Sequence, residues 1–266
     1  MGCNSPGVRV NISKLGTRLR TYDWTAAVIE LVIVVVGILI ALEVSNWNQS
    51  RQDLARADGY YRRIYADLST DSKSFGTTLT YWDQVSKYGR AAIAYGENGQ
   101  LVDGSAWKTV LAYYQASQTL PFVPSDASFT EMRSAGELGL IADENLRGRL
   151  EDYYSLSGVG GESIIRQQDP AYRKQVRGLT PWPVQQYIWN RCYRESSYAD
   201  QGFVDCPSPI SEQEALVILS RFKAAPFLLD NLRTWMSTLR ISEIVLNNVR
   251  REAQQLAAQV DQARRH

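Results

Sequence analysis

The sequence predicts a mainly α-helical chain in which one N-terminal transmembrane helix continues into an extracytoplasmic, bundle-like helical domain. Three observations carry that expectation. An apolar run with no polar side chain extends from Leu31 to Leu42. Polar, helix-forming sequence follows from Gln49 to Leu68 without a proline. Alternation of apolar and polar residues with a period of two is scarce, so no convincing sheet is expected.

The span comes first. Ala26-Ala27-Val28-Ile29 extends the run upstream past Glu30, and Val44 and Trp47 extend it downstream. Trp24 to Trp47 makes about 36 Å of helix at 1.5 Å per residue, against a hydrocarbon core of about 30 Å. Trp24 and Trp47 then fall at the two membrane interfaces, where indole rings are favoured. A buried core helix rarely runs so far without a polar position. A cleaved signal peptide ends in small residues, whereas this run ends in Glu43-Val44-Ser45-Asn46-Trp47. The expected organisation is a basic leader over residues 1–23, the span over 24–47 and the domain over 48–266.

Orientation follows less directly. Arg9, Lys14, Arg18 and Arg20 precede the span and Arg51, Arg56, Arg62 and Arg63 follow it, so counting basic residues does not decide. A short basic leader before the first apolar run reads as a signal-anchor. With the cysteine pair on the long side, it favours a cytoplasmic leader and a domain beyond the membrane. Glu30 is costly inside hydrocarbon. It pairs with Arg18, Arg20 or a partner helix, lies near the inner boundary, or is protonated. Gly37 allows close helix approach, though a single glycine is not a G-x-x-x-G motif.

Composition narrows the chemistry. Lys+Arg number 29 against 28 Asp+Glu, which gives no basic excess for nucleic acid. The 15 Tyr and 7 Trp suit cores, interfaces and membrane boundaries. The one histidine is His266, which removes histidine-based metal sites and histidine acid–base catalysis from the body of the chain. Cys192 and Cys206 are a candidate disulfide closing a polar surface loop over Tyr193 to Asp205; the alternative is two unrelated thiols. Cys3 follows no apolar stretch, and Pro6 stands where myristoylation expects Ser or Thr.

The remaining elements follow in chain order. Gln49 to Leu68 carries a helical stripe through Leu54, Tyr61, Ile64, Tyr65 and Leu68, and a second helix covers Leu79 to Tyr95, stopping at Gly96-Glu97-Asn98-Gly99. Ser105 to Ser117 is a short aromatic-rich helix. Pro121 and Pro124 bound a loop; Asp126 or Ser128 then caps a helix through Leu138, with Ser128 and Glu131 in a capping-box pattern. A helix starts near Asp143, passes Leu146, Leu150, Tyr153 and Tyr154, and breaks at Gly158-Val159-Gly160-Gly161. Thr180-Pro181-Trp182-Pro183 is a rigid turn. Ser211-Glu212-Gln213-Glu214 opens another helix. Pro226 begins the last one, which turns Gln-rich toward Arg265 and reads as frayed or partner-bound.

No Walker-type loop, G-x-S-x-G elbow or C-x-x-C is present. Glu151-Asp152 and the pair Glu131 with Glu137 read as solvated helix faces before they read as catalytic acids. The tyrosine pairs at 60–61, 113–114 and 153–154 read as packing.

Gly37-Ile38-Leu39-Ile40-Ala41-Leu42, then Asn46-Trp47-Asn48 and Arg51, with Glu30 ahead of the run, resembles the signature of a family of uncharacterised bacterial single-pass membrane proteins. A second stretch is similar to that family: Phe129, Ser134-Ala135-Gly136-Glu137-Leu138, Ile141, Leu146 and Tyr153-Tyr154. The resemblance covers the first 155 residues or so. It implies a helical domain after an anchor in the bacterial inner membrane, with the domain in the periplasm, and no assigned activity.

The expected function is a non-catalytic accessory subunit packing on a larger membrane protein complex, such as a photosynthetic or respiratory one. The expected partners are the bilayer and other membrane subunits, with Glu30 and Gly37 as intramembrane contacts and with no cofactor. The alternative is an extracytoplasmic ligand-binding or sensing module, which would signal through a partner because the leader is too short for an output domain.

Overall fold

The computed structural model describes residues 24–120, 122, 124–161, 169–197 and 200–265. The basic leader, Cys3 and Pro121 lie outside the described residues. The fold is mainly α, as expected: α1 (Trp24–Asn98), α2 (Ala106–Gln115), α3 (Ala127–Ser134), α4 (Glu144–Gly161), α5 (Ala171–Leu179), α6 (Trp182–Arg191), α7 (Glu212–Ala224) and α8 (Leu228–Arg265). The chain divides into two compact units, residues 1–56 and residues 57–266.

In the first unit α1 carries the apolar stretch. It is long and apolar enough to cross a membrane, and none of its most apolar window is buried by the chain itself. Past that window, the Arg51 guanidinium lies 5.0 Å from the Trp47 ring centre and Arg56 pairs with Asp53 at 2.5 Å.

In the second unit two cores form. The first joins Phe75, Trp82 and Val85 of α1 to Trp107 and Tyr114 of α2, Tyr172 of α5, Ile188 of α6, Leu219 of α7 and Leu232 of α8. The second joins Tyr61, Ile64 and Leu68 of α1 to Phe129 of α3, Leu150 and Tyr153 of α4, and Leu256 and Val260 of α8. Each fully buried leucine or isoleucine here contributes about 2 kcal/mol relative to exposure. Helices α1 and α8 supply both cores. They run antiparallel, since Glu97, Ser86 and Ser72 meet Arg233, Glu243 and Arg250 in reverse order.

Caps explain four of the helix boundaries. The α1 stop sits where the sequence puts it, with Gly99 at φ +71° donating its N–H to the Tyr95 carbonyl. Ser105 caps α2, and Asp143 Oδ1 accepts from the N–H groups of Asn145 and Leu146 at the start of α4. Ser211 and Glu214 form a reciprocal capping box on α7.

Several expectations are corrected. The two helices expected over residues 49–95 are one. Ser/Thr-rich sequence reads as a gap, but Thr70, Thr77 and Thr80 return their hydroxyls to carbonyls four residues earlier. Meanwhile Phe75 and Asp71 are fully buried. Ser128 lies inside α3, which Asp126 precedes without a side-chain cap, and Glu131 turns to Arg63 instead of closing a capping box. That helix ends at Ser134, because Gly136 takes φ +71°, and a 3-10 turn follows at Leu138–Leu140.

The glycine run 158–161 lies inside α4. Trp182 and Pro183 open α6 rather than extending a turn, since proline is tolerated in a first helical turn. Phe227, at φ +62°, delays the last helix to Leu228. Helix α8 is helical to Arg265 and is not frayed; Ala253, Leu256, Ala257 and Val260 are buried in the second core.

A small antiparallel hairpin, β1 (Tyr193–Ser197) with β2 (Asp200–Phe203), stands where no sheet and only a loop was expected. Its strands are polar. They are held by tertiary contacts, with the Phe203 ring 4.8 Å from Tyr81 and 5.4 Å from Tyr88.

Candidate functional site

The residues singled out from sequence occupy two places. Trp24 and Trp47 are 82% and 61% exposed on α1. Between them, Glu30 is also exposed, and a side chain at Gly37 would meet nothing within 4 Å. Glu30 and Gly37 are seven positions apart, about two helical turns, so they share a face.

Cys192 and Cys206 lie in the second unit and form a disulfide. The bridge anchors the hairpin. The Cys192 carbonyl accepts from Gln115 Nε2 and from the Val204 N–H, and the Cys206 carbonyl accepts from Trp107 Nε1 at 3.3 Å.

Sequence reasoning missed the buried carboxylate Asp71. It is fully buried on α1. Its Oδ2 accepts from the Tyr153 hydroxyl at 2.7 Å and its Oδ1 from the Ser125 N–H at 2.8 Å. It forms no ion pair with a cation among the described residues. Burial pushes its carboxyl above the usual range, and the Tyr153 and Ser125 donors pull it partly back. The Tyr153 hydroxyl is in turn raised, first by burial and then by the Asp71 charge. The available signal was an aspartate in a helix stripe flanked by Leu68 and Phe75.

Tyr153 also lines a cavity of about 370 Å³ between α4 and α8, with Arg149, Asp152, Asn248, Val249 and Glu252. Arg149 is committed: it donates to Glu252 Oε1 at 2.7 Å, to Gln259 Oε1 at 2.8 Å and to Gln255 Oε1 at 3.3 Å. A concave apolar floor with a few polar groups is the general form of a small-molecule site.

Two further half-buried cations, Arg173 and Arg177 of α5, have an architectural explanation. Burial lowers both guanidinium groups from their ordinary value. They donate to the Ser117 carbonyl and to Gln118 Oε1, both at 2.9 Å. Arg177 also lies 5.4 Å from the ring centres of Tyr114 and Trp189. They sit just past the end of α2, where unpaired carbonyls carry partial negative charge.

Of the carboxylate pairs noted in sequence, Glu131 is tied to Arg63 at 2.8 Å, and Glu151 and Asp152 are exposed on α4. Among the described residues no group of three or more His, Cys, Asp or Glu is placed to hold a metal ion. No family model, no curated protein and no solved structure matches the chain.

Proposed function

We propose that this chain is a membrane-anchored, non-catalytic accessory subunit that packs on a larger complex in a bacterial inner membrane; the resemblance noted in the sequence implies the anchor and its location, not this role. Residues 24–47 cross the bilayer, the leader is cytoplasmic, and the helical body lies on the periplasmic side. The single observation that carries the reading is the apolar stretch of α1, long enough to span and with none of its side chains buried by the chain's own domain. Glu30 and Gly37 on one face supply a polar group and a point of close approach for neighbouring helices. The Cys192–Cys206 disulfide supports an oxidising compartment for the body.

Mild solubilisation from native membranes, native gel separation and mass spectrometry test this. Co-migration with a fixed set of membrane subunits is expected, with Glu30→Gln or Gly37→Leu weakening it. Migration alone, or only with itself, would refute the accessory role.

A second reading, a ligand-binding module acting through a partner, is favoured by the cavity between α4 and α8.

A further inference from the structure

We propose that Arg51 and Trp47 form a site for the phosphate of an anionic phospholipid; this rests on residues 24–47 crossing the bilayer and names the lipid class held at one end of the span.

Four arginines follow the apolar stretch on α1, at positions 51, 56, 62 and 63. Three of them carry a carboxylate. Arg56 pairs with Asp53 at 2.5 Å, Arg62 with Asp58 at 2.6 Å and Arg63 with Glu131 at 2.8 Å. Arg51 forms no ion pair among the described residues, and its guanidinium lies over the Trp47 ring, 5.0 Å from the centre. Helical side chains lean toward the helix N-terminus and meet residues three or four positions earlier. Arg56 and Arg62 find an aspartate there, whereas Arg51 finds an indole. Asp53, two positions beyond Arg51, is held by Arg56. Glu43 stands eight positions before Arg51, about 12 Å away along the axis.

The same lean sets the depth. With Trp47 at the edge of the hydrocarbon, the headgroup layer beyond it is about 5–7 Å thick. Arg51 is four residues further on, about 6 Å along the axis, and its side chain turns back to Trp47. The guanidinium therefore stands in the layer of lipid phosphates. Its ring contact uses none of the five N–H donors of an arginine, and none of them donates to a group among the described residues. A phosphate supplies both the missing charge and a pair of acceptor oxygens for the planar fork. A zwitterionic headgroup carries an ammonium that competes for its own phosphate. An anionic headgroup leaves that phosphate to Arg51.

Native mass spectrometry of the full-length chain, released from vesicles of equimolar phosphatidylglycerol and phosphatidylcholine, tests this. The parent should retain phosphatidylglycerol in preference. Arg51→Gln should lower that retention about fivefold, the worth of one basic residue at an anionic surface. Arg51→Lys, which keeps the charge without the fork, should recover part of it. Arg62→Gln, at a guanidinium already paired with Asp58, should retain lipid as the parent does. Added inorganic phosphate should not displace the lipid; displacement would make this a site for free anions and overturn the lipid assignment. Unchanged retention in Arg51→Gln, or an equal loss in Arg62→Gln, would overturn the site while leaving the span intact. A chain that does not partition into the vesicles would overturn the spanning reading and this inference with it.

Discussion

The Tyr153 hydroxyl and the Asp71 carboxylate meet at 2.7 Å across a separation of 82 residues, tying α4 to α1 inside the second unit. The other Asp71 oxygen holds the Ser125 N–H at 2.8 Å, just before α3. One buried carboxylate thus fixes three elements around the second core. Replacing Tyr153 by Phe keeps the ring and removes a donor to a buried charge, so a loss of about 2 kcal/mol is expected in thermal or chemical unfolding. An unchanged unfolding midpoint would mean that the hydrogen bond is not formed.

The same carboxyl sets a pH dependence. Asp71 is raised in the folded protein relative to its ordinary value of 3.8. The native state therefore keeps its proton at pH values where the unfolded chain has released it. Asp71 contributes most below that ordinary value, and the contribution is lost as pH rises through the folded value. The stability difference between the parent and Asp71→Asn should fall as pH rises above about 3.8 and then level off. A difference that grows with pH would contradict the burial effect.

Glu212 shows the opposite sign. Its carboxylate accepts from Ser105 Oγ at 2.7 Å and from the Ala106 N–H at 2.6 Å, so α7 helps to cap α2. Those hydrogen bonds, led by Ser105, hold its carboxyl below the ordinary value of 4.5. Its contribution is present above that value and is lost as pH falls through the folded value. Glu212→Gln should lower the unfolding temperature slightly at pH 7 and lose that effect in acid.

Reduction gives a third readout. The Cys192–Cys206 bridge spans a sequence separation of 14, and opening a loop of that size costs about 3 kcal/mol in the chain-entropy account. A double Cys→Ser variant, or the parent in reductant, should unfold at a lower temperature. The near-ultraviolet signal of the Tyr81 and Tyr88 cluster on Phe203 should change with it. If the two forms melt together, the hairpin is held by its aromatic contacts alone.

Leu256 probes the last helix. It is fully buried in the second core, and Leu256→Ala should cost about 3 kcal/mol through lost contacts and a residual cavity. A neutral result would return α8 beyond Glu252 to a loosely held tail.

The outcome for α8 marks where sequence is informative. A stop made of Gly96, Asn98 and Gly99, or a Ser105 or Ser211 cap, depends on neighbours in the chain and could be read directly. The burial of Ala253, Leu256, Ala257 and Val260 could not, because a partner 190 residues away decides it and the intervening glutamines hide the stripe. The hairpin escaped for the same reason. Tyr193 to Phe203 has no strand pattern of its own, and the Cys192–Cys206 bridge and the Tyr81 ring impose one. At the candidate site, Glu151-Asp152 drew attention as an acidic pair, whereas the geometry lines one cavity with Asp152 and Glu252 of α8, pairs Glu252 with Arg149 and bonds the Tyr153 hydroxyl to Asp71.

The second core also has a direction in time. Its earliest residues, Ala57, Tyr60 and Tyr61, are among the first of the body to be synthesised, and Leu256, Ala257 and Val260, which close over them, are among the last. Contacts this distant in sequence form slowly. During translation the core that α1, α3 and α4 begin therefore stays incompletely covered until α8 has emerged. That interval is when a chaperone has its best access to Ile64 and Leu68.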